Sequence, residues 1–291
     1  MKLSTRAIAG LLLSASCIGT SSAQNVLQNC QDTTQQNASK VFRSGLWKQW
    51  IYWLTPGPDA YAAVRRVVAE VNVARSSAGL PILASDPSNP LIISVFEESN
   101  PRGLNGSSAI DTVLVNEETF LSTFVADSAG GNEVLFLTDP IRSNNILTTV
   151  KAVPGVAGTV ERSIESYFDS GETWVETEWN FASANNDRIQ FSASYPNAAI
   201  YFKAVSPASR IAYANCNLQS FSQLIYRSTP TQTYTLFDRS QANYVDVTSN
   251  QVQISFRVKH HDPDINTMFN DARNIPQVLI ETDRDVRIES K

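Results

Sequence analysis

The sequence predicts a mainly β protein: an antiparallel β-rich barrel or sandwich with an N-terminal helical pair and a short helix near the C-terminus. Three observations lead there. After Pro81 the apolar period changes from helical spacing to two. The two-period runs then recur about every 8–12 residues, separated by turn clusters such as Asp169-Ser170-Gly171. They do not alternate with helices, which argues against a doubly wound α/β sheet. Hydrophobic residues make up 42% of the 291, enough for a large core and too many for a disordered chain.

The first segment reads as an export signal. Lys2 and Arg6 form a basic start, Ala7 to Cys17 is apolar and small, and Ser21-Ser22-Ala23 suits cleavage before Gln24. A lipoprotein site at Cys17 is the rival, but Ser14 stands where that signal favours Leu. Cleavage removes two positive charges and takes the formal net charge from −5 to −7. The expected domains are a signal peptide over 1–23, an exposed amide-rich arm over 24–45 and one β-rich domain over 46–291. The expected location is secreted or periplasmic. The acidic balance argues against nucleic acid as a partner, and no later run is long and apolar enough for a membrane span.

Cys30 and Cys216 survive cleavage and are expected to pair in an oxidising compartment. Their loop of about 185 residues would be worth roughly 5 kcal/mol in the chain-entropy model. The sequons at Asn37 and Asn105 matter only where the host glycosylates.

Along the chain, Trp47, Trp50, Ile51 and Leu54 fall at helical spacing and predict a helix over 46–54. Thr55-Pro56-Gly57-Pro58 breaks it. A second helix over 60–77 follows, capped by Asp59, with Tyr61, Val64, Val67, Val68, Val71 and Ala74 on one stripe. Strands are expected over 91–96, 111–116, 119–126, 133–138, 145–150, 158–168, 173–181 and 187–195. The series continues with 199–205, 210–215, 219–227, 232–238, 244–248 and 252–259. A helix over 264–272 and strands over 277–281 and 285–289 close the chain.

Histidine limits the chemistry. His260 and His261 are the only two, so a three-histidine zinc site is excluded within one chain. Strand neighbours point to opposite faces, so the pair is not expected to share a metal; Asp264 is read as the N-cap of the helix that follows. No metal and no cofactor are expected. Gly-x-Ser-x-Gly, Walker, Gly-x-Gly-x-x-Gly and His-Glu-x-x-His motifs are absent, against esterase, nucleotide and zinc-protease chemistry.

Carboxylates remain. Glu97-Glu98 follows a strand and Glu117-Glu118 lies between two. Glu161 and Glu165 share a strand face, as do Glu176 and Glu178, in the pattern of a solvent-facing polar row. Lys203 stands inside the apolar run Ala199-Ile200-Tyr201-Phe202-Lys203-Ala204-Val205. In a barrel cavity desolvation would lower its pKa and make it a Schiff-base nucleophile, with Glu98 or Glu118 relaying protons and Arg102 as a further catalytic candidate. A snorkelling lysine is the plainer alternative, and a Gly-x-Pro-Lys setting is absent. Trp174 and Tyr201 are the aromatic candidates for stacking a ligand; Trp174 and Trp179 have opposite strand parity, so at most one faces inside. The expected function is an exported small-molecule-binding or accessory protein. The alternative is an exported lyase or isomerase, decarboxylase-like, using Lys203, Glu98 and Arg102.

Overall fold

The computed structural model describes residues 42–105, 108–111, 116–128, 132–143, 154–196, 201–203, 222–238, 244–248 and 253–290. In chain order the elements are β1 Phe42–Pro56, α1 Pro58–Ser77, β2 Leu83–Ala84, β3 Leu91–Asn105, β4 Ser108–Asp111 and β5 Asn116–Asp127. Next come β6 Asn132–Phe136, β7 Ile141–Arg142, β8 Val156–Asp169, β9 Glu172–Ser183, β10 Arg188–Pro196 and β11 Tyr201–Lys203. Last are β12 Ser222–Tyr226, β13 Thr229–Asp238, β14 Tyr244–Thr248, β15 Gln253–Lys259, α2 Pro263–Asn270 and β16 Ala272–Ser290. The protein is therefore mainly β, a sheet of many strands with two helices. No helix among the described residues is long and apolar enough to cross a membrane.

The N-terminal helical pair is corrected to a strand and one helix. Residues 46–54 belong to β1, which pairs antiparallel with β16 on one side and β3 on the other. Trp50, Tyr52 and Leu54 are buried while Ile51 and Trp53 are half-buried, a period of two. The 47/50/51/54 spacing fits a helix by coincidence; a run rich in Trp, Tyr and Ile, with backbone partners on both sides, is better satisfied in a sheet. Strand β1 starts at Phe42, inside the stretch assigned to the arm. The two closing strands are one continuous strand, β16. Expected strands 145–150 and 210–215 lie outside the described residues.

Most ladders are antiparallel, as the spacing predicts. Two are parallel: β6 with β12 and β7 with β8. Strands β8, β9, β10 and β15 follow one another as antiparallel neighbours. Their inner side packs on β1: the Trp50 and Trp179 rings lie 5.0 Å apart and those of Tyr52 and Phe191 4.9 Å apart. Helix α1 buries Ala60, Ala63, Val64, Val67, Val68 and Val71 in the same core cluster, and α2 adds Ile265, Met268 and Phe269.

Helix α1 is not capped by Asp59. Gly57 is its N-cap, and the cap side chain comes from far along the chain. Asp271 Oδ2 accepts from the Asp59 and Ala60 backbone N–H groups at 2.8 and 3.0 Å, and Gly57 N–H donates to the Asp271 carbonyl at 2.8 Å. A Cβ on Gly57 would stand 2.3 Å from Asp271 Oδ2, so the close approach requires glycine. Asp271→Ala is expected to lower stability by about 1 kcal/mol, the usual worth of a lost side-chain cap, read as a lower urea midpoint at unchanged m-value. Near the other end of α1, Arg75 is buried and donates to the Pro81 and Pro230 carbonyls at 2.9 and 3.2 Å.

Candidate functional site

The β8–β9–β10–β15 sheet carries polar side chains on the side away from the core. Its ladders align them in rows. Glu161, Asn180, Gln190 and Arg257 form one row, and Ser163, Glu178, Ser192 and Ser255 the next. Glu165, Glu176, Ser194 and Gln253 follow, and then Tyr167, Trp174 and Pro196. Strand alternation makes this face: along β9 the odd positions Thr177, Trp179 and Phe181 are buried, and the even positions are more open.

The first two rows line a groove of about 570 Å³. Ser192 and Ser255 hydroxyls lie 2.8 Å apart, and Asn180 Nδ2 donates to Glu161 Oε2 at 3.1 Å. At the far end Tyr167 and Trp174 stack with centroids 6.5 Å apart, and the Tyr167 hydroxyl lies 3.1 Å from Ser194 Oγ. Trp174, the aromatic candidate of the sequence, thus stands on the polar face, with Trp179 on the core face. Glu161, Glu165, Glu176 and Glu178 are exposed on one side of the sheet. Tyr167, Gln190 and Arg257 were not singled out from sequence. The signal for them was the alternation of polar residues in four strands, visible only once the strands are known to be neighbours.

A second cluster gathers acids singled out in the sequence. Glu97 pairs across the β3–β5 ladder with Glu117, and Arg162 of β8 bridges them, bonding Glu97 and holding Glu117 at 3.0 Å. Burial raises the Glu117 carboxyl above its usual range, partly offset by Arg162. On the other side of β5, Glu118 and Arg142 form an ion pair at 2.9 Å, with 2% and 1% of their side chains exposed. Asn116 Nδ2 donates to Glu118 at 3.0 Å, and Arg142 Nη2 donates to the Pro154 carbonyl at 2.8 Å. Phe120, Phe136, Tyr226 and Tyr234 form a chain of ring contacts with centroids 4.3–5.1 Å apart.

Of the catalytic candidates, Glu98 and Arg102 lie on β3, their backbones paired with Trp47 and Ser44 of β1. Lys203 lies on β11, paired with Tyr244 of β14, and Tyr201 pairs with Asp246. Strand β14 pairs with β16 and β16 with β1, so Lys203 is four ladder steps from β3. In a flat sheet that is about 19 Å. Cys30, Cys216 and Asn37 lie outside the described residues.

His260 and His261 correct the sequence reading. Both turn toward one carboxylate, Asp187, at the start of the β10 hairpin arm. The alternation rule fails because the pair lies past the end of β15, in the turn before α2. The imidazoles stack with centroids 4.3 Å apart. His261 Nδ1 lies 2.9 Å from Asp187 Oδ1, and His260 Nε2 lies 3.7 Å from Oδ2. Asp187 also accepts the His261 backbone N–H at 2.8 Å. The three side chains could converge on a metal ion. However, His260 Nδ1 accepts the Asp262 backbone N–H at 3.0 Å. That bond puts the ring proton on Nε2, facing Asp187, where a metal ligand needs a lone pair. The helix cap is Asp262, accepting from Asp264 N–H at 2.8 Å, and Asp264 instead pairs with Arg66 at 2.6 Å.

Burial holds His260 below its ordinary value of 6.5, Asp187 offsetting part of the effect. Burial alone would raise Asp187, but the His261 side-chain and backbone hydrogen bonds and both imidazoles bring it below its ordinary value. A folded-state histidine pKa below the unfolded one gives stability that is full above about pH 6.5 and lost as pH falls through the folded value. Asp187 adds a loss of the same sign further into acid. Urea midpoints measured from pH 7.5 downward are expected to fall, and His260→Gln to remove the part that begins near 6.5.

No protein-family model matches the chain. No curated protein matches it either. A solved structure described as structural studies of acetoacetate decarboxylase aligns with 85% of this chain and 86% of that one, at a TM-score of 0.44 and 12% identity. At that distance the alignment carries no statement about what this chain binds or does.

Proposed function

We propose that this chain is an exported ligand-binding protein, and that its site is the polar face of β8, β9, β10 and β15. The observation that carries the reading is the groove, whose walls come from four neighbouring strands in register, with the Tyr167–Trp174 pair on the same face. Hydroxyl, amide and carboxylate groups fix a ligand's orientation, and an aromatic pair supplies apolar contact area. Ligand pockets commonly have about 300–1,000 Å³ of volume, and this groove falls in that range. Native mass spectrometry of protein purified from its own host should show a retained small molecule. Loss of that ligand in Gln190→Ala and Glu178→Ala, with the fold intact by circular dichroism, would place it in the groove. Retention in both variants would remove the site from this face.

Export rests on the leader, with cleavage before Gln24 and a Cys30–Cys216 bond; N-terminal sequencing and non-reducing peptide mapping of secreted protein test both. The barrel form of the sheet is supported by a circuit of pairings. β1 pairs with β3, β3 with β5, β5 with β6, β6 with β12, β12 with β13, β13 with β16, and β16 with β1.

A second reading, the lyase, keeps Lys203 of β11 as its nucleophile. Borohydride trapping with small keto acids should then label Lys203 faster than Lys40 or Lys291. Equal labelling removes the Schiff-base mechanism and leaves the groove reading as it stands.

A further inference from the structure

We infer that the groove takes a neutral saccharide chain, laid along the strands and stacked at one end on Trp174. The inference rests on the binding reading above and names its ligand class. Three observations lead to it. First, the face carries both charge signs in separate places. Arg188, Arg257 and Lys259 gather at one end, Glu161, Glu165, Glu176 and Glu178 lie toward the middle, and Asp169 and Glu172 close the hairpin end beyond Trp174. The excess of acids disfavours an anion, and the basic end disfavours a polycation spread over the whole face.

Second, the two polar rows along the groove combine groups that both donate and accept with fixed acceptors and a fixed donor. Ser163, Ser192, Ser255, Asn180 and Gln190 are of the first kind, Glu161 and Glu178 of the second, and Arg257 is the donor. A sugar hydroxyl both donates and accepts, so it finds a partner in either orientation along such walls. An ammonium ligand would leave the amide N–H groups and Arg257 without a role, and a phosphate or carboxylate would face two carboxylates.

Third, the aromatic pair is on the polar face. Tyr167 is 41% exposed and Trp174 is half-buried. Strand alternation puts both rings on the polar face, where they extend the polar rows, Tyr167 directly beside Trp174 in the ladder and hydrogen-bonded to Ser194. The ring faces suit the C–H face of a pyranose, which is apolar, while its equatorial hydroxyls reach the rows. The platform is about 14 Å across the four strands and about 20 Å along β8 from Glu161 to Tyr167, enough for several linked rings.

The test uses the full secreted protein and isothermal titration with three probes: a panel of neutral hexasaccharides (cello-, xylo-, manno- and chitohexaose), spermidine, and inorganic phosphate. The expected result is saturable binding of at least one hexasaccharide and none of the other two. Trp174→Ala should weaken that binding at least tenfold, and Gln190→Ala severalfold, with thermal unfolding little changed because both side chains are surface-placed. The same hexasaccharide should shift tryptophan emission in the parent protein and not in Trp174→Ala. If spermidine or phosphate binds in a manner sensitive to Glu178→Gln or Arg257→Ala while no saccharide does, the saccharide assignment is overturned and the groove reading stands. If no probe binds and the ligand found by native mass spectrometry is unaffected by all four substitutions, both are overturned.

Discussion

Arg142→Met is expected to destabilise the protein by about 3–5 kcal/mol, among the largest effects of any single substitution in this chain. Arg142 and Glu118 face each other across the short β5–β7 ladder, nearly excluded from water. Removing the guanidinium takes the Arg142 counter-charge from a buried carboxylate that also accepts from the Asn116 amide. The cost is that of an uncompensated buried charge, which far exceeds the net worth of the pair itself. The arginine also fills space that Gly155 leaves open: a Cβ there would stand 2.3 Å from Arg142 Nη1. The double variant Glu118→Gln with Arg142→Met should therefore recover most of the loss, since it leaves no lone charge. Urea unfolding of both singles and the double gives the coupling directly. A double variant as unstable as the sum of the singles would mean that packing, and not charge, holds this corner.

The β class, most strands among the described residues and the opposite parities of Trp174 and Trp179 could be read from the sequence, because strand alternation is a local property. What could not be read is which strands become neighbours. Tyr167 and Trp174 are seven residues apart around a tight hairpin, so their pairing is nearly local; Gln190 and Arg257 are sequence-distant and meet only through the β10–β15 ladder. The Asp271 cap on α1 has the same character. Its partners, Asp59 and Ala60, lie more than 200 residues away, and the local alternative, Asp59 capping its own helix, is the one that pattern reading selects. The β1 error has a different cause. Trp47, Trp50, Ile51 and Leu54 fit a helical period while Trp50, Tyr52 and Leu54 fit a strand period, and the hydrogen-bonding demand of β3 and β16 on either side decides between them. His260 and His261 lie one and two residues beyond the end of β15, where strand alternation no longer holds.

Trp179→Ala is expected to cost about 3–5 kcal/mol, and Trp174→Ala, five residues away on the same strand, only about 1 kcal/mol. Trp179 is 2% exposed and is one of the rings through which the β8–β9–β10–β15 sheet packs on β1. It contacts Trp50 of β1 at 5.0 Å, Phe181 at 6.0 Å and Phe191 of β10 at 6.2 Å, and the Arg162 guanidinium sits 5.5 Å from its ring centroid. Alanine here opens a cavity between packed strands whose backbones are fixed by ladders on both sides, so little collapse can relieve it. Its indole N–H has no hydrogen-bond partner among the described residues. Trp179→Phe therefore keeps most of the packing, gives up no such bond, and should cost much less than the alanine variant. Trp174 stands on the far side of the same strand, where its main contact is one stacked tyrosine. Urea midpoints for the three variants should fall in the order Trp174→Ala, Trp179→Phe, Trp179→Ala, with the last well separated. Equal losses for the two alanine variants would place both tryptophans in comparable surroundings and undo the assignment of Trp174 to the open polar face.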